Sequence, residues 1–70
     1  MKMIVKNSLQ HFRTTAAMTQ EELADRVDVT RQTIISIEKG NYTPSVLLAI
    51  KLARVFKISV EELFTTTYAK

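Results

Sequence analysis

Residues 18–41, MTQEELADRVDVTRQTIISIEKGN, constrain the fold more than any other stretch of this chain. They hold two short helical patterns with a break of about four residues between them. Thr19 opens the first pattern, and Leu23, Ala24 and Val27 recur at the spacing of one helical face. Asp28 and Val29 interrupt it. Thr30 opens the second pattern, Ile34 and Ile37 lie on its inner face, and Gly40 closes it. Two helices joined by so tight a turn do not lie antiparallel; they cross at a steep angle. The rest of the chain is expected to hold the second of them at the surface.

The flanking signals complete a five-helix reading. A first helix is expected over 8–16, with Leu9, Phe12 and Ala16 inward and His11 off that face. Thr19-Gln20-Glu21-Glu22 is a capping box, in which the threonine hydroxyl accepts from the third helical residue and the glutamate reaches back. It starts the second helix, over about 20–27, which Asp28 ends in a left-handed conformation. The third helix covers about 31–39, behind Thr30. Ser45 caps the fourth, over 46–56, with Val46, Ala49, Ile50, Ala53 and Phe56 as its expected inner face. Ser59-Val60-Glu61-Glu62 is a second capping box, opening a short fifth helix. The tail, FTTTY at 64–68, has the β-branched and aromatic composition of a strand. The other segment that looks extended is 3–5, so a small sheet joining the termini is expected.

Seventy residues allow one small domain, spanning 1–70, with a modest core and marginal stability. The chain has no cysteine, which removes disulfides and thiolate metal sites, and one histidine does not make a zinc site. No cofactor and no metal is expected. Oligomerisation is the remaining support, which points to a homodimer. Net charge is +3 and the pI about 9.5, a mildly basic balance that permits a nucleic-acid partner without demanding one. No apolar run approaches the eighteen or so residues that span a bilayer, and MKMIVKN lacks the apolar core of a leader. The expected location is the cytoplasm. Ser, His and Asp occur without forming a constellation, there is no glycine-rich phosphate loop, and the chain is not expected to be an enzyme.

With Ile34, Ile37 and Glu38 inward, the outer face of the third helix shows Arg31, Gln32, Ser36 and Lys39, with Thr33 at its edge. Arginine donates two hydrogen bonds to guanine, glutamine pairs bidentately with adenine, and serine is permissive. A helix of this width enters a major groove with its first turn nearest the bases. Together with the preceding helix and tight turn, this is a helix-turn-helix over about 19–39. The pattern T-Q-x-x-L-A, then T-R-Q-T-I, I-E-x-G, P-S and S-V-E-E-L-F resembles the Cro/phage-repressor type of regulator, over about 7–64. It is especially similar to the short bacterial and archaeal members that hold little beyond the DNA-binding domain.

The resemblance implies an all-α, five-helix fold that binds double-stranded operator DNA as a dimer, most often as a repressor on a near-palindromic site. It implies base reading by Arg31, Gln32 and Ser36. Gln20 matches a phosphate-contacting position at the start of the second helix. Thr30, Thr33, Lys39, Asn41, Tyr42 and Thr43 match backbone-contacting positions at the rim of the third helix and its loop. Such contacts position the protein and carry little sequence information. Arg13 and Glu38 match a partly buried salt bridge, since neither charge tolerates burial alone. The chain departs from the family pattern at Ala17, Asp28 and Lys57, where glycine is frequent, and at Ile35 and Leu47, where polar residues are common and an outward or marginal position is expected. Ile35 or Leu47 could touch a thymine methyl, a partner or the other subunit, or be a scattered exposed apolar residue. The dimer is expected at 59–70, through Val60, Leu63, Phe64 and Tyr68, apolar residues that would otherwise stand in solvent. An alternative use of the same fold is an antitoxin-like protein-interaction module.

Overall fold

The computed structural model describes residues 1–69. In chain order it contains β1 (Lys2–Asn7), α1 (Leu9–Thr15), α2 (Gln20–Arg26), α3 (Arg31–Glu38), α4 (Val46–Val55), α5 (Val60–Leu63) and β2 (Phe64–Ala69). The helix starts follow from local chemistry. Thr19, Thr30, Ser45 and Ser59 hold extended backbone, and their hydroxyls accept from Glu22, Thr33, Leu48 and Glu62 N–H groups. Both capping boxes close reciprocally: the Thr19 N–H donates to Glu22 at 2.9 Å and the Ser59 N–H to Glu62 at 3.1 Å. α1 starts differently. Ser8 makes no side-chain cap, and the Leu9 N–H donates to Asn7 Oδ1 at 3.1 Å instead.

The turns need left-handed backbone. Gly40 takes it at φ 78° after α3, at no steric cost. Ala17, Asp28 and Lys57 also take it, at φ 55°, 58° and 56°. A Cβ there crowds the following carbonyl, so the fold tolerates three strained turns where glycine would relax them.

The core is one cluster drawn from α1 to α5: Leu9, Leu23, Ala24, Val27, Ile34, Ile37, Leu48, Leu52, Ala53 and Leu63. Phe12 and Phe56 close its flank with ring centroids 6.0 Å apart. The termini form a two-stranded antiparallel sheet in which Lys2 faces Ala69 and Asn7 faces Phe64. The extended segments are longer than the sequence signals, 2–7 and 64–69 against 3–5 and 65–68.

Three assignments are corrected. On α4 the buried residues are Leu48, Ala49, Leu52 and Ala53, while Val46 is 77% and Ile50 39% exposed. α4 reads VLLAIKLARV, apolar almost all round, so its period alone selects no unique inward stripe. On α1, Ala16 is exposed and Arg13 takes the inner position beside Leu9. Leu63 is fully buried in the core of its own chain and has no surface to offer a second copy. Ile35 is marginal and Leu47 outward, as the sequence suggests.

Candidate nucleic-acid interface

α3 lies with Ile34 and Ile37 fully buried against the core. That packing leaves Arg31 and Gln32 exposed in its first turn, and Ser36 and Thr33 half-buried along the same side. Thr30 sits at the helix start, its hydroxyl 3.2 Å from that of Thr33. Lys39, Asn41, Tyr42 and Thr43 continue the exposed rim past the helix end. The sequence-assigned base-reading and backbone-contacting groups are therefore exposed or half-buried on α3 and the segments that flank it, apart from Gln20, which lies at the start of α2.

Behind this face lies a polar network. Arg13 Nε donates to Glu38 Oε2 at 2.6 Å, and Nη2 to Oε1 at 3.1 Å. The remaining arm, Nη1, donates to the Met18 carbonyl at 2.8 Å. The two side chains are only 11% and 5% exposed. The fork geometry suits a planar guanidinium and a carboxylate, and each charge satisfies the other. The Glu38 hydrogen bond raises the Arg13 pKa above its ordinary value, with Coulomb attraction adding and burial opposing. Glu38 also accepts from Gln20 Nε2 at 3.1 Å. The Glu38 carboxylate thus joins the last residue of α3 to α1 through Arg13 and to α2 through Gln20, while Arg13 ties the α1–α2 turn to the same network. Gln20 is committed to this brace through one amide N–H and keeps a second for another acceptor. Arg13, Thr19, Gln20, Glu21 and Arg31 border an open cleft of about 530 Å³ between the starts of α2 and α3.

A second tie reaches α3 from the other side. Asn7 Nδ2 donates to the Ile37 carbonyl at 2.8 Å. Neither this contact nor the Gln20 contact was foreseen from the sequence. Asn-Ser ahead of the first apolar repeat is a recognisable cap signal, but nothing local says that the Asn7 amide continues to a residue thirty positions away.

The remaining assigned positions belong to a second surface, which meets the first at Thr43. Val60 and Phe64 are half-buried and line an apolar groove of about 180 Å³ with Val5, Thr43, Pro44, Val46, Ala49 and Ile50. Tyr68 is 57% exposed and lies opposite Met3 in the sheet, whose register sets both on the same side as Val5. Val5, Val46 and Ile50 were not assigned to this face from the sequence.

Comparison with known proteins places these features in context. The helix-turn-helix family model matches residues 9–63. An uncharacterised HTH-type transcriptional regulator of Archaeoglobus fulgidus is 50% identical over 60 residues, covering 86% of this chain and 86% of that protein. Another, of Methanocaldococcus jannaschii, is 48% identical over 60 residues, with 86% and 91% covered. Among solved structures, the restriction-modification controller protein C.AhdI from Aeromonas hydrophila superposes with a TM-score of 0.72 at 30% identity, covering 77% of this chain and 82% of that one. The clp gene regulator ClgR from Corynebacterium glutamicum gives 0.72 at 26% identity, with 77% and 57% covered.

Proposed function

The chain belongs to the helix-turn-helix family of DNA-binding transcriptional regulators, and on that premise we propose that it is a homodimeric repressor reading a near-palindromic operator. The observation that carries the reading is the division of α3 into two sides. Its inner side is buried and braced by Glu38, and its outer side offers Arg31, Gln32 and Ser36 from a fixed frame. Base reading needs such a frame, because a bidentate hydrogen bond tolerates little angular error. In this reading α3 enters the major groove. Thr30, Thr33, Lys39, Asn41, Tyr42 and Thr43 hold phosphates at its rim, and the free N–H of Gln20 meets a phosphate from the cleft beside Arg31. In this proposal repression follows from occluding polymerase on the same DNA, in the cytoplasm.

The second copy, in this proposal, covers the groove between α4 and the terminal sheet. Val60, Phe64 and Tyr68 stay in that interface, Leu63 leaves it, and Met3, Val5, Val46 and Ile50 enter. Residues that line the groove carry no charge, so two copies meet there without placing like charges together. The exposed face also supports the second reading, an antitoxin-like module, in which a different protein occupies the same groove.

Selection of bound duplexes from random DNA tests the proposal. The expected product is a near-palindrome whose half-sites lie about one helical turn apart, roughly 10–10.5 base pairs. Arg31→Ala is expected to cost about 1–3 kcal/mol and to relax the preference at one position of each half-site. A pool that never enriches above bulk DNA sinks the DNA reading.

A further inference from the structure

Asn7 stands where the terminal sheet, α1 and α3 meet. It is the last residue of β1 and pairs with Phe64, the first residue of β2. Its two amide atoms go to different elements. Oδ1 accepts the Leu9 N–H at 3.1 Å and so starts α1 in place of Ser8. Nδ2 donates to the Ile37 carbonyl at 2.8 Å, one residue before the Glu38 brace. That carbonyl already accepts from Gly40 N–H at 2.9 Å, in the turn that ends α3. Among the described residues, Asn7 makes the one hydrogen bond between the terminal sheet and α3. On its other side, Ser8 N–H donates to the Leu63 carbonyl at 2.9 Å, which pins the root of the sheet to the end of α5.

We propose that Asn7 is a positioning residue for DNA reading: it fixes the end of the recognition helix to the root of the sheet that borders the dimer groove. This rests on the proposed reading of α3 as the helix that enters the major groove. The Arg13–Glu38 pair holds α3 to α1 and α2, within the half of the protein that touches DNA. The Asn7 bond instead holds α3 to β1 and, through the Asn7–Phe64 pairing, to a side chain that lines the groove. The angle between two α3 helices in a dimer therefore depends on it. Losing the bond leaves α3 folded and its side chains intact, and loosens α3 against the body that sets the spacing of the pair. Specific binding to two half-sites at once suffers, and non-specific attraction to phosphate, which has no angular requirement, does not.

Two substitutions separate this role from helix capping. Asn7→Asp and Asn7→Ser both keep an oxygen able to accept the Leu9 N–H. Neither donates to Ile37: aspartate lacks the N–H, and serine is too short to span the gap. Each variant is first checked for folding by circular dichroism. Its affinity is then measured for the duplex that the wild-type protein selects from random DNA, and for a random duplex of equal length at the same salt. The expected result is a drop of about tenfold in the ratio of the two affinities, the size of one hydrogen bond lost from the positioning of α3, with binding to the random duplex unchanged. A partly unfolded variant lowers both affinities together and leaves the ratio alone. An unchanged ratio in both folded variants overturns the proposal, as does failure of both to fold, which would make Asn7 a purely structural residue. If the wild-type protein enriches no duplex, the DNA reading itself has failed, a separate outcome.

Discussion

Arg13 and Val46 mark two regions built on opposite terms. Arg13 carries a full charge and is 9% exposed; Val46 is aliphatic and 77% exposed. Around Arg13, α1 to α3 are closed by packing and by a network in which the buried charges have partners. Around Val46, the start of α4, α5 and the terminal sheet leave apolar side chains uncovered on a groove. A buried charge and an exposed aliphatic cluster both run against ordinary partition, and both carry information. The first region is complete within one chain. The second is the surface that the proposed dimer assigns to its partner. A two-stranded sheet is itself marginal in water, which gives this region a further reason to be covered.

The largest expected effect tests the closed region. Glu38→Ala strands Arg13 in the interior and releases Gln20, and should cost about 3–5 kcal/mol. Thermal unfolding at fixed protein concentration measures it, because the proposed association would also shift the midpoint. A melting temperature equal to wild type would break the contrast, because Arg13 would then be stable without its partner.

Val46→Asp tests the open region and should be somewhat smaller in energy. An exposed aspartate in the first turn of α4 suits the helix dipole, so the monomer keeps its helicity. Burying that charge in a dimer should weaken association by about 2 kcal/mol or more. Light scattering across a dilution series reads the shift toward monomer. A variant that dimerises like wild type would show that this face is not the interface.

Strain in the turns sharpens the comparison, because left-handed non-glycine residues occur in both regions. Ala17→Gly acts beside the Arg13 network and Lys57→Gly beside α5. Each should stabilise the fold by roughly 0.5–1 kcal/mol, the relief of Cβ strain less the added freedom of the unfolded chain. Denaturant midpoints test both, and no gain at either site would mean that the turn has relaxed by other means.

The smallest effect is a pH dependence. Glu22 accepts from the Thr19 backbone N–H, and that bond, then the Thr19 hydroxyl, holds its pKa below the usual glutamate value against desolvation, with the charge of Arg26 adding least. With the folded value below the unfolded one, the contribution is complete above the ordinary glutamate pKa. It is lost as pH falls from there through the folded value. Glu22→Gln should therefore flatten the acid limb of stability slightly. An acid limb as steep as wild type would remove the capping box from the account.

Much of this protein is legible from short-range chemistry. Thr19, Thr30, Ser45 and Ser59 announce their helices because a hydroxyl oxygen and an N–H two or three residues on are neighbours in any chain that starts a helix. Asp28 and Gly40 end theirs for equally local reasons. Arg31, Gln32 and Ser36 could be placed outward because Ile34 and Ile37 define an unambiguous inner stripe. The pairing of Arg13 with Glu38 came from family likeness, not spacing, since the residues are 25 positions apart.

Tertiary structure decided what no local pattern encodes. α4 is apolar on nearly every side, so only the positions of α2, α3 and α5 determine that Leu48 and Leu52 turn inward and that Val46 and Ile50 are left out. Leu63 and Phe64 are adjacent and equally apolar, yet one fills the core and the other lines a groove, because the chain passes from helix to strand between them. Asn7 reads as a cap, and only the folded chain brings the Ile37 carbonyl within reach of its second atom. The amino-acid sequence by itself determined where helices begin and end and which side of α3 faces out, because those follow from interactions a few residues long. The tertiary structure alone decided which apolar side chains remain uncovered and which polar atoms meet, because those depend on segments that are neighbours only once the chain has folded.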